Sequence, residues 1–536
     1  MKKVFGFLLL MLVINVSCKK NFNDINSNPS LFTNASDGSL LNNVISSLQM
    51  GWNEQFYINN EILYKQTQSA ALFKEAWGNS TIGTEEIWKN YYTTLPSIRE
   101  LQLRLSKYTA SPSVNNMNAI VKILLAYKTF KVTDLFGDIP YSDAGYGFQD
   151  ASKLRPKFDS QQSIYLSLLD DLKWANDNID PTALGEPYAS FSSFDKLFFG
   201  DITMWQKFAN SLRLRYAMRM YAKEPTISAQ IIGDIITNNR PVLIGSDFSG
   251  VELEKAAIYP YLCSFKNESK IWSFREHKNL RLGSNLWHQL SSNDSTDGSG
   301  IFDARAYLFF DTNNNGKWIA YPQIPTGSTP AESGVPYESQ RDYDASYNVK
   351  GSGCLFSPFN YFLIGDEDYV PDIMMTGAEV NFLKAEAYMR GIGVAQSESN
   401  ASNEYLSGVQ ASLTFWQNTM SMTSLLHGSK FDTIVHVPSY LTLSYLETKV
   451  GFWNFSTFDE KLNLIYTQQL IDFFRQPAEA FALVRRAYGR LPREGDQLQY
   501  FRFQIPPSEV SYNATNYSSC YSSQGDYTTT KVWWMQ

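Results

Sequence analysis

The chain has 536 residues and a formal net charge of -7 at pH 7, enough length for a large core in one domain or in two to three fused lobes. An acidic chain without basic clusters argues against nucleic acid as a partner. Four cysteines are too few for a disulfide framework, whereas aromatic residues make up 15% of the chain, with 32 Tyr and 12 Trp, a surplus that needs surface or binding-site positions.

The N-terminus opens on Met1-Lys2-Lys3, followed by a mostly apolar run from Val4 to Val16 and then Ser17-Cys18. This is the layout of a secretory signal peptide, and the run is well short of the roughly 20 residues that span a bilayer. The ending on Cys18 resembles the bacterial lipobox, which implies lipidation of Cys18 and attachment to a membrane by acyl chains. Residues 19–39 are rich in Asn, Ser, Lys and Asp and read as a tether. From Leu40 apolar residues recur at three- and four-residue steps through Leu41, Val44, Ile45, Leu48 and Trp52, the period of an amphipathic helix. Further helices are expected at 55–73, 84–107 and 114–135, the last stopping at Gly137 with Pro140 beyond it. Another is expected at 159–178, with Asp159-Ser160 as N-cap. Residues 201–222 carry one stripe of Trp205, Phe208, Ala209, Leu212, Tyr216 and Met220, flanked by Arg213, Arg215 and Arg219; 226–238 give one more helix.

Between about 245 and 372 Gly, Ser, Asn, Pro and Tyr dominate and the helical period fades. Its frequent aromatics point to functional loops and short hairpins. Helices return at 376–391, 402–420, 458–474 and 478–488, and 489–536 reads as a loop-rich tail. Paired helices of this length are compatible with degenerate tetratricopeptide-like units, giving a mainly α fold, an α/α superhelix with a loop-rich irregular lobe. Cys263, Cys354 and Cys520 permit at most one disulfide, and neither they nor His277, His288, His427 and His436 have metal-ligand spacing.

Several blocks together resemble the SusD/RagB family of outer-membrane lipoproteins: Asp134-Leu135-Phe136-Gly137-Asp138-Ile139-Pro140-Tyr141, Pro156-Lys157-Phe158-Asp159, Trp205 through Arg215, Asp303-Ala304-Arg305, Thr376 through Ala387, Tyr405 to Leu413, Arg485-Arg486 and Ile505-Pro506-Pro507-Ser508-Glu509. The blocks keep their order across nearly the whole chain. The resemblance implies a helical scaffold carrying a loop-rich ligand-binding lobe, and a TonB-dependent SusC-like barrel as partner. Ligands would be oligosaccharides, or peptides in some members, held without catalysis at the outer face of the outer membrane. The organisation is then a signal peptide at 1–17, lipidated cysteine and tether at 18–39, an N-terminal helical scaffold at 40–244, the ligand-binding lobe at 245–372, and C-terminal helices and tail completing the scaffold at 373–536.

Sugar rings present flat C–H faces on which an indole or phenol can stack, while nearby polar groups take the hydroxyls. Trp77, Trp272, Trp287, Trp318, Tyr321 and Tyr343 are therefore the candidate ligand-binding residues. The 205–220 stripe instead reads as core. Asp311, Asn313 and Asn315 have the alternate spacing of a calcium loop, but the twelfth position is Pro322 rather than Glu, which favours a polar hairpin turn over a structural calcium site. Glu379 and Glu386 lie seven apart on one expected helix, with backbones about 10 Å apart. A tethered glycoside hydrolase using this pair is the alternative to a binding protein, since such enzymes need carboxylates about 5–9.5 Å apart; scaffold carboxylates paired with arginines are the preferred reading.

Overall fold

The structure, a computed structural model, describes residues 35–74, 80–245, 279–332, 354–360, 373–421, 436–487, 489–495 and 498–535. It is mainly helical, as the periodicity requires. The principal helices are α1 (Asp37–Ser46), α2 (Ser80–Leu105), α3 (Pro112–Phe136), α4 (Gln161–Asn178), α5 (Ile202–Met220), α6 (Pro225–Thr237), α7 (Gly377–Arg390), α8 (Glu398–Ser421), α9 (Leu443–Val450), α10 (Phe458–Asp472), α11 (Pro477–Arg486) and α12 (Ala514–Tyr521). Helices pack on their sequence neighbours, α2 on α3, α3 on α4, α4 on α5 and α5 on α6, then α7 on α8 and α10. That is the helix-pair scaffold of tetratricopeptide-like folds, and α5 against α7 joins its two halves.

Local chemistry sets the helix ends. Ser111 caps α3 by accepting from the Val114 N–H, with Pro112 at the first turn, and Gly137 ends it at φ +84°. Ser160 caps α4, while Asp159 accepts from Tyr141 N–H and Ser142 N–H at 2.9 Å and so fastens the small hairpin of β2 (Ile139–Pro140) and β3 (Phe158–Asp159). Strand β1 (Ala71–Leu72) pairs with β4 (Leu280–Arg281), and β5 (Ser295–Thr296) with β6 (Trp318–Ile319), both antiparallel.

Three features depart from the sequence reading. Residues Glu54–Leu63 wind as a π-helix; the Gln55 amide donates to Asn60 Oδ1 at 2.8 Å, five residues on, the spacing of that helix. The stretch ends in Tyr64–Thr67 and at Gln68 in the left-handed region, φ 57°, rather than running to 73. The tail is not merely loop: Pro507–Tyr512 and α12 are helical but short, polar and without an apolar stripe. Val532, Trp534 and Met535 are buried in the main core. The Trp534 indole N–H donates to Asp134 Oδ1 at 2.8 Å. Trp534→Phe, which keeps a ring and removes that donor, should lower unfolding free energy by about 2 kcal/mol in urea titration. A change under about 0.5 kcal/mol would show that the tail does not close this core.

A second cluster, apart from the main core, joins Tyr64, Leu280–Leu290, Ile301 and Ala306–Phe310 with Phe359, Trp416 and Phe474. Phe309 stacks on Phe474 at 4.1 Å, so the irregular lobe is bolted to the scaffold by aromatic packing.

Candidate functional site

The α5 stripe is buried as read, but the arginines expected on its flanks are buried too. Arg213 pairs with Asp234 at 2.9 Å. Arg215 grips Glu379 with Nε and Nη2 at 2.6 and 2.5 Å and donates to the Met374 carbonyl at 2.9 Å. Arg219 bridges Asp134 and Glu479. These pairs tie α3, α5, α7 and α11 together. The two carboxylates of the hydrolase alternative therefore lie inside the scaffold. Glu386 accepts from Tyr466 Oη–H at 2.8 Å and from Arg390 and Arg486 at 2.7 Å. Burial pushes its carboxyl up, but Arg486 and Arg390 more than reverse this and hold it below the usual carboxylate range. A glycosidase acid needs the opposite shift; burial does push Glu379 up, but its carboxylate is held on Arg215 inside the scaffold.

One place where ring faces reach the surface lies where the irregular lobe comes near the segment around Tyr440. Strand alternation splits β6 and its continuation between two faces. Ile319 and Tyr321 turn toward Ala71, Phe73 and Phe356; Trp318 turns the other way, edge-on to Tyr307 with ring centroids 4.8 Å apart. Trp318 is half-buried, and its indole N–H has no hydrogen-bond partner among the described residues. The Tyr307 hydroxyl is buried, and its pKa is pushed up to about 12, first by that burial and then by the charges of Tyr440 and Asp297. Tyr440 is 50% exposed and packs edge-on against Tyr445 at 5.3 Å. Asp297 is exposed. Gly298 lets the chain pass: a Cβ there would meet the Tyr307 hydroxyl at 2.9 Å, and its φ of +123° suits only glycine. The result is a half-buried Trp318 seated on the buried Tyr307, with the exposed Tyr440, its half-buried neighbour Tyr445 and the exposed Asp297 nearby; Tyr440, Tyr445 and Trp318 can offer ring faces, and Asp297 can accept hydroxyl hydrogens.

Of the residues singled out from sequence, Trp318 belongs to this group. Trp287 does not: it is fully buried, and its indole N–H is spent on the Asn293 carbonyl at 2.7 Å. A four-residue helix, Ser284–Trp287, turns it inward, so it packs rather than binds. Tyr321 is also buried, against Phe356 at 4.9 Å, and offers no open face. Trp77, Trp272, Tyr343 and Cys18 lie outside the described residues. Asn313, of the calcium-like spacing, has its Oδ1 accepting from the N–H groups of Asn315 and Lys317 at 2.9 and 3.1 Å, the work of a turn, and Asp311 beside it is buried. Among the described residues no three metal-ligating side chains converge. Sequence reasoning missed Tyr307, Tyr440 and Asp297; Tyr440 follows a turn signal, Pro438-Ser439, but nothing local ties it to Trp318.

Comparison with known proteins agrees with this architecture. No curated protein sequence matches the chain. Among solved structures it is similar to a chitin-binding protein at 21% identity, with 94% of this chain and 100% of that one covered and a TM-score of 0.67. It is similar to a SusD homologue from Bacteroides vulgatus at 19% identity, with 93% and 97% covered and a TM-score of 0.67. A SusD homologue from Bacteroides fragilis gives 18% identity, 93% and 100% coverage and a TM-score of 0.65. These establish the fold. Residues 29–499 match the family model described as SusD-like, starch-binding and associating with the outer membrane, and the chain belongs to that family.

Proposed function

We propose that this protein is a cell-surface lipoprotein, anchored through Cys18, that captures an oligosaccharide and passes it to a TonB-dependent SusC-like transporter in the outer membrane. It binds without cleaving and needs no cofactor. The loop-rich lobe carries the ligand, and the helix pairs act as its frame. The observation that carries the reading is the exposed Tyr440 with the half-buried Trp318 and Tyr445 around the Tyr307 core, beside the exposed Asp297, since ring faces next to an exposed acceptor suit a hydroxylated ring. The family description, starch-binding, supports the same ligand class. The locked state of Glu379 and Glu386 supports binding over hydrolysis.

Calorimetric titration against a glycan panel tests this. Trp318→Ala and Tyr440→Ala should each weaken binding of the responding glycan about ten-fold, on the scale of one lost stacking contact of about 1–1.5 kcal/mol. No reducing ends should accumulate on prolonged incubation. Undiminished glycan binding by the double variant would remove these rings from the site. Binding of peptides alone would replace the ligand class, and turnover abolished by Glu386→Gln would restore the hydrolase.

A further inference from the structure

A different surface carries a second recognition element. The segment between α4 and α5 is folded around one buried carboxylate. Asp195 Oδ1 accepts from the N–H groups of Leu197 and Phe198 at 2.9 and 3.1 Å, and its Oδ2 from Gly200 N–H and the Trp205 indole at 3.1 and 2.8 Å. With its backbone so fixed, the loop holds Phe199 in the left-handed region at φ 54°, a costly conformation for a bulky residue, and leaves its ring 46% exposed. Phe194, 39% exposed, lies over Gly38 at the start of α1. Tyr108, 41% exposed, donates its hydroxyl to Asp37 Oδ2 at 2.8 Å. Two exposed rings, Phe194 and Tyr108, thus meet at the first residues of α1, Phe199 is exposed on the same Asp195-organised loop as Phe194, and the exposed Lys107 and Lys196 lie next to Tyr108 and Phe194 in the chain. The described chain enters the body here: the Ala35 carbonyl accepts from Arg104 at 2.6 Å. Cys18 lies upstream by a length of chain that reaches at most about 60 Å.

We infer that this face, Tyr108, Phe194 and Phe199 with Lys107 and Lys196, rests on the lipid surface to which the protein is tethered. Aromatic rings flanked by lysines are the side chains that settle at a headgroup boundary, the rings among acyl carbonyls and the ammonium groups on phosphates. Contact at this face turns a single-point tether into a two-point attachment and fixes which way the body leans, because the second contact forms at high effective concentration. The choice of lipid as occupant rests on the anchored-lipoprotein reading.

The chain from Lys19 onward keeps every residue of the described body and carries no acyl group. It should co-float with vesicles of phosphatidylcholine containing phosphatidylglycerol, and Phe194→Ser/Phe199→Ser should reduce the floated fraction at least ten-fold with an unchanged far-ultraviolet spectrum. Lys107→Gln/Lys196→Gln should weaken binding only to the anionic vesicles. Mass measurement of the native protein reports acylation of Cys18 separately, so failure of the anchor and failure of this face are read apart. Equal flotation of wild type and the aromatic double variant, or no flotation of either, overturns the proposal. So does a wild-type dimer that the double variant converts to monomer, which would make the face a contact between copies.

Discussion

Arg215→Met is expected to lower the unfolding free energy by about 3–5 kcal/mol, the usual cost of stripping one partner from a buried ion pair. Arg215 is fully buried and supplies two of the bonds that satisfy Glu379, itself buried. Methionine fills much of the volume but leaves a carboxylate in the core without its guanidinium, and Glu479 loses its second arginine while keeping Arg219. Adding Glu379→Leu should recover most of the loss, because a matched apolar pair has no charge to desolvate. Guanidinium unfolding of the four proteins gives the coupling energy directly. A single-variant loss below about 1 kcal/mol, or a double variant as unstable as the sum of the singles, would contradict this account of α5 and α7.

Lys128 should make stability rise with pH. It is buried on α3, and its Nζ donates to the Ser47 carbonyl, the Ser47 hydroxyl and Asn90 Oδ1 at 2.8–2.9 Å, all neutral acceptors. Burial, and then the charge of Lys131, push its pKa down from 10.5 to about 7. In the unfolded chain the ammonium keeps its proton up to about pH 10.4. Between about pH 7 and 10 the unfolded state therefore holds a proton that the folded state has released, and unfolding becomes harder as pH rises, by up to about 1.4 kcal/mol per unit. Below pH 7 both states are protonated and this residue adds no slope. Buried tyrosines raised above 10 act oppositely at higher pH, so the measurement is the wild type against Lys128→Met from pH 7 to 9. The wild type should gain about 2 kcal/mol relative to the variant over that span. Parallel curves would mean that the three acceptors keep the lysine charged.

The helices were legible because their apolar residues recur at the helical period, and α3, α4, α5 and α7 lie within a few residues of where that period puts them. The π-helical turn was not, since its signal is one side-chain pair, Gln55 with Asn60, rather than a stripe. The pairing of scaffold arginines with carboxylates was legible, but not its partners: Asp234, Glu379, Asp134 and Glu479 come from other helices, which only the fold places opposite Arg213, Arg215 and Arg219. For the candidate site, composition pointed to the irregular region and Trp318 was among the residues chosen, but Trp287 shows that a tryptophan among turn residues can still face inward. Tyr440 comes near Tyr307 only through the tertiary fold, which no local pattern records.

The docking of Trp534 on Asp134 also orders events in time. Asp134 sits at the end of α3, and its carboxylate waits for Tyr165, Arg219 and Trp534, while its backbone carbonyl takes Arg485 at 2.8 Å. Asp134 and Trp534 lie 400 residues apart in the chain, so on a ribosome Asp134 is made long before its indole partner exists. Until Trp534 arrives, the Asp134 carboxylate must rely on Tyr165 and Arg219 alone.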